Sequence, residues 1–338
     1  MYVQTKELQQ SSAKTAERVI KMKKFYPENY LTDTEENKKA LSSRAALKEA
    51  CYSGKILEAR ASLCDKDHNL HVDLGVMKGI IPRSEGALGI DDGSVRDIAI
   101  ISRVNKPVMC RVIDFTKDER GETVAVLSRR SVQLDCMREY ISTLTPGCVI
   151  DAVITHLEPF GVFADIGAGI SALMPIDSIS VSRIPHPSAR FSPGEKIRAV
   201  VKSIDENGRI TLSYKELLGT WEENAALFKA GETVPGIIRS VERYGIFVEL
   251  KPNLAGLAEY VPGVEVGQHA SVYIKNLIPE RMKIKLIIVD SFEATYPNEP
   301  VTYYNNSDFI DRWVYSPENC HKKVETVFSS YELTERAI

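Results

Sequence analysis

The sequence predicts a mainly β protein with helical linkers, built from three tandem copies of a small, strongly bent sheet. Across residues 146–214, short apolar runs alternate with Gly, Asn and Asp breaks, which is typical of short strands joined by tight turns. The chain also contains an internal repeat, because the Tyr-Gly-Ile-Phe run at 244–247 aligns without a gap with the Phe-Gly-Val-Phe run at 160–163. Between the copies, apolar residues adopt the spacing of one helix face, which predicts linker helices.

Composition bounds the function before any motif is considered. The 338 residues are 43% hydrophobic and 26% charged, which is ordinary for two to four small domains. A formal charge of −3 argues against a protein held to nucleic acid mainly by bulk charge. No apolar run is long enough to span a membrane and the N-terminus lacks a signal-peptide core, so we expect a soluble cytoplasmic protein without a membrane partner.

The cysteines and histidines give no sign of a metal or a disulfide framework. The six cysteines are scattered without a Cys-x-x-Cys pair, and the six histidines show no ligand spacing. A phosphate loop, a nucleophile elbow and a clustered carboxylate set are also lacking. The expectation is therefore a non-enzymatic protein with no cofactor, no metal site and no catalytic residue.

The N-terminal segment, residues 1–53, is predicted as a helical extension. A basic run near residues 14–24 is either a solvated helix face or an arm that contacts RNA or the ribosome. Thr32 with Glu35 three residues later suits a capping box, and Gly54 ends the helix that follows. These residues therefore predict a second helix in this extension.

The rest of the chain divides by the same criteria into alternating barrels and linkers. We expect a degenerate first repeat at 54–130, a linker helix at 131–145, a central repeat at 146–214, a linker helix at 215–230, a third repeat at 231–290 and an aromatic-rich extension at 291–338. The first linker carries apolar residues for one face at Leu134, Met137, Ile141 and Leu144. Trp221 on the second linker is interpreted as a packing residue. In the extension, Ser316 followed by Pro317 predicts a helix start.

The central ring pair is the strongest candidate for a binding surface. In a regular strand Phe160 and Phe163 would face opposite sides, but Gly161 between them allows a bend that brings both rings to one surface. Exposed rings offer bases a flat apolar partner, and each stacked base is worth roughly 1–3 kcal/mol. The alternative for each ring is a place in the core; the repetition of the pair in two copies favours a binding face.

These residues resemble the S1 RNA-binding domain family, and the resemblance covers roughly residues 54–290. A domain of that family is a five-stranded barrel of the OB-fold kind, so the resemblance implies three such barrels. The family's RNA-facing set is two aromatics three apart, a histidine on the next strand, and an aspartate and an arginine four residues apart. The matching residues of the central repeat are Phe160, Phe163, Asp205 and Arg209.

Each copy departs from that set in its own way. Pro175 replaces the histidine of the central repeat. The third repeat supplies Tyr244, Phe247 and Lys283, but has Glu259 for the histidine and Pro279 for the aspartate. The first repeat keeps almost none of the set, with His68 and His71 at the aromatic positions. RNA contact is therefore expected from the second and third repeats.

The resemblance implies a non-catalytic protein that binds single-stranded RNA, including mRNA, in translation or mRNA handling near the ribosome, like a short relative of bacterial ribosomal protein S1. The alternative is a protein-interaction scaffold that docks on the ribosome or an RNA-processing complex through degenerate repeats. Residues 1–130 are the expected protein-docking part of the chain. Mixed use is expected, with the first repeat contacting protein and the other two contacting RNA.

Overall fold

A computed structural model describes residues 25–294, 296 and 301–328. Three closed five-stranded barrels follow one another along this part of the chain, which confirms the predicted mainly β fold with OB-type barrels. The basic run near residues 14–24 and the last ten residues lie outside the described residues. Among the residues that are described, none of the helices has the length and apolar character needed to cross a membrane.

Two short helices precede the first barrel: α1 (Glu35–Leu41) and α2 (Arg44–Ser53). Helix α1 begins after Thr34, whose side chain accepts a hydrogen bond from the Asn37 amide. The predicted capping box of Thr32 with Glu35 is therefore wrong, and residues 25–34 are not helical. The Thr32 hydroxyl instead donates a 2.8 Å hydrogen bond to Glu58 in the first barrel, a contact remote in sequence.

The first barrel is made of β1 (Ile56–Cys64), β2 (Leu70–Asp73), β3 (Lys78–Ile81), β4 (Pro107–Lys117) and β5 (Thr123–Ser128). Its strands follow the order β1-β2-β3-β5-β4, and β3 pairs with β5 in parallel. The connection from β3 to β4 contains the short helix α3 (Ile98–Ile101). Leu57, Val72 and Leu127 are fully buried inside the barrel, as expected for the inward side of alternating strands.

The linker helix α4 (Arg130–Glu139) follows the first barrel. The face predicted from Leu134 and Ile141 is wrong, because α4 ends before Ile141 and leaves Leu134 exposed. The helix instead buries Val132 and Gln133 among its residues, and the Gln133 side chain donates a 3.0 Å hydrogen bond to the Ala168 carbonyl. A polar residue with a long-range partner thus occupies a buried position that apolar spacing could not reveal.

The second and third barrels repeat the same architecture. The second contains β6 (Val149–Glu158), β7 (Gly161–Asp165), β8 (Ser171–Pro175), β9 (Lys196–Ile204) and β10 (Ile210–Ser213). After helix α5 (Trp221–Ala225), the third contains β11 (Thr233–Glu242), β12 (Gly245–Lys251), β13 (Leu254–Ala258), β14 (His269–Ile278) and β15 (Lys283–Phe292). In both barrels the third strand pairs with the fifth in parallel. Trp221 is buried, in agreement with a packing role.

The C-terminal extension contains a two-stranded sheet, β16 (Arg312–Val314) paired with β17 (Glu325–Val327). The helix predicted to start at Ser316 is wrong. The Ser316 hydroxyl donates to the Lys322 carbonyl at 2.8 Å and accepts from the Val324 amide at 2.7 Å. Its side chain therefore closes the loop between the two strands, a role open to serine because its hydroxyl both donates and accepts.

The chain forms two compact units whose boundary does not follow the barrels. The first unit comprises residues up to Leu144 together with Asp151–Val153 and Asp165–Ser171. The second comprises Thr145–Ile150, Ile154–Ala164 and Ala172–Ile338. The turn after β7, which belongs by sequence to the central repeat, is thus an integral part of the first unit.

A buried charge cluster lies inside the first unit. The Glu28 carboxylate accepts hydrogen bonds from Arg129 at 2.7 Å, from Arg103 at 3.2 Å and from the Met109 amide at 3.2 Å. The Glu28 amide in turn donates to Asp165 at 2.7 Å. Glu28, Arg129 and Asp165 are all at least nine-tenths buried. Removal of one member would therefore leave another charge buried without its partner.

This cluster makes the stability of the first unit depend on pH. Burial, followed by the neighbouring Glu28 carboxylate, raises the pKa of Asp165 from 3.8 to about 7. Between these values the folded chain holds a proton that the unfolded chain has released, so stability falls as pH rises. We expect the free energy of unfolding to fall by at most about 1.4 kcal/mol per pH unit from pH 5 to pH 7 and to level off above.

Urea denaturation of the intact protein at several pH values would measure this dependence. In the Asp165→Asn variant the side chain at position 165 does not titrate. The free energy of unfolding of this variant should therefore change less between pH 5 and pH 7. Equal slopes for the two proteins would show that Asp165 titrates at its ordinary value.

A second buried cluster lies inside the second unit and joins the central barrel to the third. Glu249 at the end of β12 is 6% exposed and forms ion pairs with Arg190 and with Arg239, the latter at 3.0 Å. Arg190 also donates to the Pro252 carbonyl at 3.1 Å. The Asn253 side chain accepts from the Val181 amide at 3.1 Å. The turn between β12 and β13 is therefore held by side chains and backbone of the central barrel.

Candidate nucleic-acid interface

The central barrel brings its two predicted rings together on the outside of the sheet. Phe160 precedes β7 and is 56% exposed, while Phe163 within β7 is partly buried. The two ring centroids are 6.2 Å apart with an interplanar angle of 87°, an edge-to-face pair. More than half of the Phe160 side chain thus remains accessible to solvent, as a stacking position for a base requires.

Gly161 is the residue that permits this arrangement. Its φ of 158° is uncommon for a residue with a side chain, and a Cβ added there would lie 2.4 Å from the Met174 carbonyl oxygen. The close approach of β8 is also seen in the hydrogen bond from the Ile176 amide to the Phe160 carbonyl, 2.9 Å long. Gly161 therefore leaves no room for a side chain against β8, and Phe160 lies in the turn immediately before it.

The third barrel repeats the same arrangement with a different first ring. Tyr244 is 71% exposed, and its centroid lies 6.1 Å from that of Phe247 at an angle of 84°. A Cβ on Gly245 would lie 2.5 Å from the Ala258 carbonyl oxygen. Two copies of an exposed edge-to-face ring pair, each set by a glycine, are thus presented by the second unit.

Asp205 and Arg209 lie in the exposed turn between β9 and β10. The Asp205 carboxylate accepts hydrogen bonds from the Asn207 amide at 2.9 Å and the Arg209 amide at 2.8 Å. Asp205 thus shapes the turn that presents Arg209. The Arg209 side chain is exposed and makes no ion pair within the described part of the chain, so its guanidinium is available to a phosphate.

The strand register places the cations of the third barrel relative to its rings. Phe247 on β12 pairs with Leu257 on β13, and Leu257 pairs with Lys285 on β15. Paired residues point to the same side of a sheet, so the three form one outward row. Lys283 lies two residues earlier on the same side of β15. Sequence reasoning found Lys283 but missed Leu257 and Lys285, because the parallel register of β13 and β15 has no local signal.

The two residues that replace the family's histidine differ in charge and exposure. Pro175 ends β8 and is partly buried, so it supplies a small apolar surface beside the rings. Glu259 follows β13 and is exposed. A carboxylate there repels phosphate, which makes the third face electrostatically less favourable for RNA than the number of its lysines alone indicates.

The first barrel lacks a ring pair. His71 on β2 pairs with Leu63 and Ile80, the position that Phe247 holds in the third barrel. Its Nε2 lies 3.2 Å from Asp65, and His68 Nδ1 lies 3.8 Å from Asp97. Both imidazoles are therefore beside carboxylates, which suits neither stacking nor phosphate contact.

Other kinds of site find little support in the described ranges. Within them, no three His, Cys, Asp or Glu side chains are grouped closely enough to hold a metal ion. All six cysteines are free thiols. Burial raises the pKa of Cys110 and of Cys136 to about 12, so these two thiols stay protonated and are poor nucleophiles at neutral pH.

Comparison with known proteins agrees with this architecture. The model of the S1 RNA binding domain family matches residues 143–215, which include the central barrel. The small ribosomal subunit protein bS1 homolog of Bacillus cereus is 30% identical over 303 residues, covering 81% of this chain and 75% of that protein. The small ribosomal subunit protein bS1 of Staphylococcus aureus is 28% identical over 276 residues, covering 77% of this chain and 66% of that protein.

Among solved structures, a multidomain protein with nucleic acid binding domains from Streptococcus pneumoniae aligns over 72% of this chain and 76% of the length of that protein. It is 14% identical with a TM-score of 0.23, which does not establish a shared arrangement of domains. The alignment with the Bacillus cereus relative covers more than two thirds of both chains at 30% identity. On this basis the chain belongs to the bS1 family of small ribosomal subunit proteins.

Proposed function

We propose that the chain binds single-stranded RNA through the ring faces of its second and third barrels and acts in translation or mRNA handling at the ribosome. The observation that carries this proposal is the exposed edge-to-face ring pair, present in both barrels with a separately placed unpaired cation. Stacking on such rings is open to any unpaired base, whereas a duplex keeps its bases inside. The bS1 relatives support the ribosomal setting.

The cations define how strongly salt should weaken binding. Arg209, Lys283 and Lys285 are three exposed cations that the parallel pairing of the third and fifth strands places toward the ring faces. For single strands the slope of log K against log salt is about −0.7 per neutralised phosphate, so three contacts predict a slope of about −2. Stacking would supply the salt-independent remainder.

Fluorescence anisotropy of a labelled oligouridine against the intact protein, over a salt series, tests the proposal. We expect binding with a slope of about −2 and at least tenfold weaker binding of a duplex of equal length. A slope of about −3.5, as the five basic residues of the N-terminal run would give, would instead indicate that run as the contact. Equal affinity for single strand and duplex would contradict stacking.

A second function, protein docking through residues 1–130, is favoured by the surface of the first barrel. There the outward positions carry Leu63 and Ile113, 55% and 46% exposed, in place of a ring pair. Exposed apolar side chains of this kind suit contact with protein. The partner in this part of the proposal is the ribosome or another protein bound near it.

Fragments divided at residue 145 are unsuitable for testing whether residues 1–130 bind protein and the later barrels bind RNA. The first unit includes Asp151–Val153 and Asp165–Ser171, which such a division would remove. Substitutions in the intact chain keep both units complete and are therefore preferable.

A further inference from the structure

We propose that RNA bound at the third barrel continues past the ring pair along the outer side of β14 and β15. The four residues of this outer track are Tyr273 and Lys275 on β14 and Lys285 and Ile287 on β15. This inference rests on the proposed RNA binding by the ring faces and adds a second stacking position, at Tyr273, to that site.

The strand register makes the outer track continuous with the ring pair. Lys285 ends the outward row that begins at Phe247 and passes through Leu257. Ile287 lies two residues further along β15 and pairs with Tyr273 on β14. Two residues of a strand span about 7 Å, and diagonal neighbours across strands are about 7–8 Å apart, within reach of long side chains. An extended single strand covers such a step with about one nucleotide.

The exposure of these side chains is what a stacking position needs. Tyr273 is 37% exposed and Ile287 is 47% exposed, although their neighbours Ile274 and Leu286 on the inward side are buried. On its other side Tyr273 pairs with Thr233 of β11, a small side chain that leaves the tyrosine ring accessible. The ring can therefore receive a base on its outer surface.

The charges along the outer track suit a phosphate backbone. Lys275 occupies a bulge in β14, between Ile274 and Asn276, and is exposed beside the row that contains Lys285. In the part of the chain that the structure describes, neither lysine forms an ion pair. Asp290 pairs with Ser271 immediately beyond Tyr273 and places a negative charge there. This carboxylate marks the end of the favourable surface and so limits the track to the neighbourhood of Tyr273.

A partner protein could also cover exposed tyrosine and isoleucine, but RNA is favoured for two reasons. The surface is continuous with the ring pair, and it carries two lysines, Lys285 within the outward row and Lys275 beside that row. A purely apolar docking face would be expected to lack unpaired cations at its centre.

The test uses the intact chain with Phe160→Ala and Phe163→Ala, so that binding reports on the third barrel. Affinities for a two-nucleotide oligouridine, which covers the ring pair alone, and for a ten-nucleotide oligouridine are measured by anisotropy. Adding Tyr273→Ala should weaken binding of the longer RNA about tenfold and leave the shorter RNA unchanged, because only the longer strand reaches Tyr273. Tyr273→Phe keeps the ring and should restore the longer RNA to within about twofold. Tyr52→Ala, an exposed tyrosine on α2, is the control.

The outcomes separate this inference from the function on which it rests. If Tyr273→Ala leaves the ten-nucleotide affinity unchanged while both RNAs still bind, the outer track is wrong and the ring face stands. Equal loss for both lengths would also overturn the track, since it would place Tyr273 within the primary site or indicate misfolding. If neither RNA binds the starting variant, RNA binding by the third barrel fails and the track fails with it.

Discussion

Replacing Phe160 and Phe163 together by alanine is expected to weaken binding of single-stranded RNA by at least about 30-fold. Two stacked bases at roughly 1–3 kcal/mol each correspond to about 2–6 kcal/mol, and each 1.4 kcal/mol is tenfold in affinity. On the intact chain we expect a loss near the lower end of this range, about 2 kcal/mol, because the face formed by Tyr244 and Phe247 continues to bind RNA.

Both substitutions remove ring surface without altering the backbone that holds it. Gly161 remains, so the close approach of β7 to β8 at the Met174 carbonyl is unchanged. Phenylalanine to tyrosine at position 160 keeps the ring and should retain affinity to within about threefold, since stacking depends on the π-face. Anisotropy with oligouridine at fixed salt measures the effect. A loss below about threefold in the alanine variant would show that the central barrel does not bind by stacking.

Replacing Glu249 by alanine is expected to lower the free energy of unfolding of the second unit by about 3–5 kcal/mol. The carboxylate lies between Arg190 and Arg239, which are only 6% and 10% exposed in their side chains. Without it two guanidinium groups remain close together in a buried place with no opposite charge. The loss of stability therefore comes mainly from leaving two buried arginines without a counter-charge. It is larger than the net stabilisation that the intact ion pairs provide.

Urea denaturation of the intact protein measures this change, with Glu265→Ala as the matched control. Glu265 is an exposed glutamate in the connection between β13 and β14, so its removal should cost less than about 0.5 kcal/mol. A change below about 1 kcal/mol for Glu249→Ala would show that solvent reaches the cluster and screens both arginines.

The fold and the ring faces could be predicted because their signals are local. Alternating apolar and polar residues predict a strand, and glycine or asparagine predicts a turn. The Phe-Gly-Val-Phe spacing around Gly161 predicts the ring pair. The repetition of that spacing at residues 244–247 then separates a functional pattern from a chance one. Structural features that depend only on residues close together in the chain can therefore be predicted from the sequence.

The wrong and missing predictions all concern residues whose partners are distant in sequence or lie outside the pattern that was used. The spacing of Thr32 to Glu35 predicts a helix cap, but the Thr32 hydroxyl instead bonds to Glu58 on a strand distant in sequence. Ser316 followed by proline predicts a helix start, but the partners of its hydroxyl are the Lys322 carbonyl and the Val324 amide. Lys285 was missed because its place in the row depends on a parallel register between strands far apart in the chain.

The composition of the first unit has a consequence for how the chain is made. Synthesis delivers residues in order at about 5–20 per second, and domains near the N-terminus generally fold first. Here the first unit needs Asp165, which lies beyond its last strand, the linker helix and the start of the central barrel. About 25 more residues must therefore emerge after Leu144 before Glu28 and Arg129 meet all of their partners, a wait of roughly 1–5 s at that rate. The nascent first barrel should accordingly remain sensitive to protease until translation has passed Ser171, which a series of stalled ribosome complexes would reveal.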